Sequence, residues 1–78
     1  MKKILVTEDS PTMRSLLVAA IEDMDGYRVI EASSGFDALR LLPREHVDLI
    51  ITDINMPDIN GLELISYEGI SRVYIVIV

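Results

Sequence analysis

The sequence predicts an α/β fold, a parallel sheet of four strands in a β-α-β-α-β-α-β arrangement. Short continuous apolar blocks, helically spaced stretches between them, and carboxylates directly after two of the blocks carry that reading. The blocks are Ile4-Leu5-Val6, Val29-Ile30, Leu49-Ile50-Ile51 and Val73 to Val78. They are rich in β-branched residues and lack polar alternation, which suits strands buried on both faces of a parallel sheet. Strands that alternate with helices imply right-handed crossovers.

Each helical stretch has its own signals. In the first, Met13, Leu16, Leu17, Ala20, Ile21 and Met24 recur at three- and four-residue spacing, which predicts one buried face. Ser10 is the expected N-cap, Pro11 suits the first turn, and Asp25-Gly26 ends the helix. The second helix starts after Ser34, buries Ala38, Leu39 and Leu42, and stops at Pro43. A third begins near Asn60, with Glu63 at capping-box spacing, and meets Glu68-Gly69 after about two turns.

The 78 residues allow one domain, spanning 1–78. A chain this short buries only about 60% of its unfolded surface, so its core is marginal. Half of the residues are hydrophobic, which excludes a disordered chain. Cysteine is absent, so no disulfide or zinc-thiolate site can staple the fold. The formal charge of −6 disfavours nucleic acid as a partner. The opening Met1 to Thr7 breaks at Glu8-Asp9, too soon for a signal peptide, and no run approaches the roughly 20 apolar residues of a membrane span. A soluble, cytoplasmic protein is expected.

Carboxylates stand where the strands finish. Glu8-Asp9 follows the first block and Asp53 the third. In a parallel sheet those ends share one edge, where doubly wound folds bind ligands. If the first and third strands are neighbours, about 4.8 Å apart, three carboxylates converge on one crevice. Like charges so close resist joint ionisation, and a hard divalent cation relieves the repulsion. Oxygen-only ligands favour Mg²⁺ over zinc. One carboxylate then stays free to attack phosphorus, and Asp53, alone at its strand end, is the choice for that nucleophile. Glu8 and Asp9 form the metal-holding pair.

Ile4 to Ser10 and Asp48 to Ile65 together resemble the receiver domains of two-component response regulators, chemotaxis-type and flavodoxin-like. The acidic pair Glu8-Asp9, the helix pattern, Asp53 at the third strand's end and Met56-Pro57-Asp58-x-x-Gly61 occur in register. The likeness covers roughly residues 1 to 66. It implies that Asp53 is a phosphoacceptor served by a histidine kinase or phosphotransfer protein. It also implies that Asp9 binds Mg²⁺ directly, with Glu8 assisting and the backbone carbonyl of Asn55 adding a ligand. Pro57 and Gly61 would shape the loop. No separate substrate is implied, so an enzyme is not expected.

The ending departs from that pattern. The family carries a Ser or Thr at the end of its fourth strand, whereas Val73 to Val78 offers only the hydroxyl of Tyr74. Its lysine after a fifth strand has no counterpart, and Lys2 and Lys3 sit at the opposite end of the first strand. Residues 67–78 therefore read as an atypical fourth-strand segment of a truncated receiver with impaired switching. The family's sheet order 2-1-3-4-5 would make Val73 to Val78 an apolar edge, which natural monomers avoid. Loss of a fifth helix would also uncover the flank beside the first helix. A homodimer through that strand is the expectation. The alternative is a non-signalling, self-associating fragment or engineered dimerising half-domain of a receiver.

Simpler roles are expected for the remaining polar and aromatic residues. His46, beside Glu45 and Asp48, reads as solvated, and the methionines of the first helix read as core. Thr7 and Thr52 are expected to satisfy backbone groups, and Phe36 to pack on the second helix. Arg14, Arg28, Arg40, Arg44 and Arg72 are scattered and form no evident phosphate-binding cluster. An aspartyl-phosphate phosphatase would carry a second Asp two positions after the nucleophile. Here that position holds Asn55, which cannot act as general acid.

Overall fold

The computed structural model describes residues 1–52 in full and the backbone of 74–77. The expectations for Asp53, Asn55, Pro57, Gly61 and the third helix lie outside the described residues. Among the described residues four strands form, β1 (Lys2–Thr7), β2 (Tyr27–Ala32), β3 (Leu49–Thr52) and β4 (Tyr74–Ile77), with helices α1 (Pro11–Glu22) and α2 (Gly35–Leu41). All pairings are parallel and the sheet order is β2-β1-β3-β4. The first and third strands are therefore neighbours, as the carboxylate argument requires.

Register follows from burial on both sheet faces. Leu5 and Ile50 pair across β1 and β3 and join Ala32, Ala38 and Leu42 in a core cluster on the α2 side. Ile4 and Val6 point to the other face and cluster with Ile21 of α1. Leu5, Val6 and Ile50 are fully buried, and each such side chain contributes about 1.5–3 kcal/mol relative to exposure. A one-residue slip would exchange the two faces, so both helices hold the register.

The opposite end of the sheet is tied by polar contacts. The Lys3 N–H donates to Asp48 Oδ2 at 2.9 Å, Asp48 N–H donates to the Lys3 carbonyl at 2.9 Å, and Lys3 Nζ meets Glu45 Oε2 at 3.2 Å. Lys3 is engaged at the N-terminal edge, away from the carboxylates that follow β1. Gly26 turns the chain into β2 with φ of 90°, a left-handed conformation that favours glycine, and its carbonyl accepts from Lys2 N–H at 3.0 Å.

Both expected N-caps are present. Ser10 Oγ accepts from Met13 N–H at 3.3 Å, and Ser34 Oγ accepts from Asp37 N–H at 3.0 Å. Each satisfies a donor that the helix itself leaves unpaired. The second helix ends at Leu41, ahead of Pro43 as expected. Its buried residues are Gly35 and Ala38, with Leu42 buried at the C-cap and Leu39 half-buried.

The first helix corrects one expectation. Of its apolar residues Ile21 is buried and Leu17 and Val18 are half-buried, while Met13 is 46% and Leu16 62% exposed, as is Met24, 49%, just beyond the helix end. The apolar arc is wider than the strip that α1 lays on β1 and β2. The side holding Leu17 and Ile21 takes the sheet, leaving Met13, Leu16 and Ala20 on the flank. The methionines are thus not core. Phe36, expected to pack, is 62% exposed as well.

Candidate functional site

The C-terminal strand ends lie level with one another. Thr7 is in register with Ala32 on one side and Thr52 on the other, and Thr52 with Ile77. Glu8-Asp9 continues from Thr7, Ser33-Ser34 from Ala32, and Asp53 is the next residue in the chain after Thr52. The expected site residues Glu8 and Asp9 are thus brought to this edge.

These two carboxylates differ in setting. Glu8 is buried, 6% exposed, and its Oε1 accepts from Ser10 N–H at 3.2 Å. Asp9 is exposed, and among the described residues no hydrogen bond or ion pair engages its carboxylate. A side chain free to meet a cation stands beside one already committed to the loop. That division suits Asp9 as direct ligand and Glu8 in support.

The donors present suit a hard divalent cation, because they are carboxylate oxygens, with Asp9 open to solvent and Glu8 buried beside it. Among the described residues no three His, Cys, Asp or Glu side chains converge as a metal site. Asp53, the third of the expected set, is not among them.

Sequence reasoning missed Arg14. Its Nη1 donates to the Glu8 carbonyl at 2.7 Å and its Nε lies 3.4 Å from Glu31 Oε1 on β2. The one available signal was its position one turn inside the helix that follows the acidic pair. Thr7 is a second departure, since its buried Oγ1 has no hydrogen-bond partner among the described residues. His46 is exposed, as expected.

The profile of the response regulator receiver domain matches residues 4–74. The chain belongs to the response regulator receiver family. The receiver is 44% identical over 65 residues to a chemotaxis protein CheY homolog of Campylobacter jejuni, covering 82% of this chain and 50% of that protein. It is 46% identical over 61 residues to the sensor protein EvgS of Escherichia coli strain K12, covering 78% of this chain and 5% of that protein. The chain thus spans half or less of these relatives.

Among solved structures, the chemotaxis response regulator CheY4 of Vibrio cholerae superimposes with a TM-score of 0.76 at 35% identity. That match covers 83% of this chain and 53% of CheY4. The response regulator TrrA of Thermotoga maritima, solved in complex with Mg²⁺ and BeF, gives 0.77 at 28% identity, covering 97% of this chain and 87% of TrrA. The receiver has the flavodoxin-like fold of these neighbours, with the sheet in the order β2-β1-β3-β4. Among the described residues no helix is long and apolar enough to cross a membrane.

Proposed function

We propose that this receiver accepts a phosphoryl group on Asp53, in an acidic pocket where Glu8, Asp9, Asp53 and the Asn55 carbonyl hold Mg²⁺. The observation that supports this most directly is the parallel pairing of Thr7 with Thr52, because each is followed in sequence by the expected carboxylates. When bound, Mg²⁺ would supply positive charge that offsets the phosphoryl oxygens. A carboxylate oxygen of Asp53 then forms the bond to phosphorus as the bond to the donor's imidazole nitrogen breaks. The electron pair of that broken bond stays with the imidazole. Pro57 and Gly61 would shape the loop that follows.

The donor in this reading is a histidine kinase or phosphotransfer protein in the cytoplasm. Similarity to segments of EvgS and of the sensor histidine kinase RcsC supports that class of partner. The chain itself turns over no separate substrate. Switching is proposed to be weak, because Val73 to Val78 brings no Ser or Thr to the end of the fourth strand. Residues 67–78 are read as an atypical segment of one domain, and a homodimer through Val73 to Val78 belongs to the same reading.

Mass measurement after incubation with Mg²⁺ and acetyl phosphate tests the proposal. One added phosphoryl group, lost in Asp53→Asn, is the expected result. No gain, under conditions that label an intact receiver, would favour a non-signalling self-associating module instead.

A further inference from the structure

We draw no further inference here: the strongest candidate, the exposed apolar patch of Met13, Leu16 and Ala20 on the flank of α1, carries none because nothing in the structure shows what covers it.

Discussion

Thr7 and Thr52 face each other at the ends of β1 and β3, both fully enclosed. The Thr7 hydroxyl has given up water without gaining a partner among the described residues. An orphaned buried polar group costs about 1–3 kcal/mol, more than a made hydrogen bond typically contributes. Valine has the same branched shape and removes that burden. Thr7→Val is therefore expected to stabilise the domain by about 1 kcal/mol, read as a rise in the urea midpoint at unchanged slope. A fall of similar size would mean that the hydroxyl has a partner in solution. Leu5→Ala supplies the contrast, since Leu5 is fully buried and its truncation should cost about 2–5 kcal/mol.

Among the elements, α2 depends most on its own ends. It has seven residues, too few to be stable as an isolated helix. Ser34 caps it, and Asp37 returns the bond by accepting from Ser33 N–H at 3.1 Å. Arg40 Nη2 meets Asp37 Oδ1 at 2.6 Å. That hydrogen bond, followed by the bonds from Ser33 and the Arg40 charge, holds the Asp37 carboxyl below its ordinary value of 3.8 against the opposing effect of burial. A carboxylate so lowered contributes stability above the unfolded value, and the contribution is lost as pH falls through the folded value. The difference in urea midpoint between the wild type and Asp37→Asn should thus be full near neutrality and vanish in acid well below pH 3.8. A difference that persists there would exclude the carboxylate as its source. Ser34→Ala should cost about 1 kcal/mol, with α2 loosening as seen in amide exchange.

At the scale of the whole molecule, the strands were the most legible part. Leu5 and Ile50, Ile4 and Val6 are buried on two faces, and such residues write themselves as unbroken apolar blocks. The shared edge of Glu8 and Asp9 followed from strand order alone. What stayed hidden were distances and directions. Periodicity located the apolar arc of α1 but not which part of it meets the sheet, so Leu16 looked buried. Arg14 looked scattered because its link to Glu8 exists only once α1 folds back over β1. Among the described residues, β2 and β4 stand at the two edges of the sheet. β2 carries Arg28 and Glu31, charges that discourage a further strand. β4 reads Tyr74-Ile75-Val76-Ile77, uncharged, and pairs in parallel with β3 on one side. A polypeptide of residues 1–78 in solution is therefore expected to associate through β4 and not through β2. Sedimentation across a concentration series should show a monomer–dimer equilibrium, and amide exchange of residues 74–77 should slow as the dimer fills. A monomer at every concentration would refute the proposed homodimer. Protection that grows instead along Tyr27–Ala32 would place the contact at the other edge.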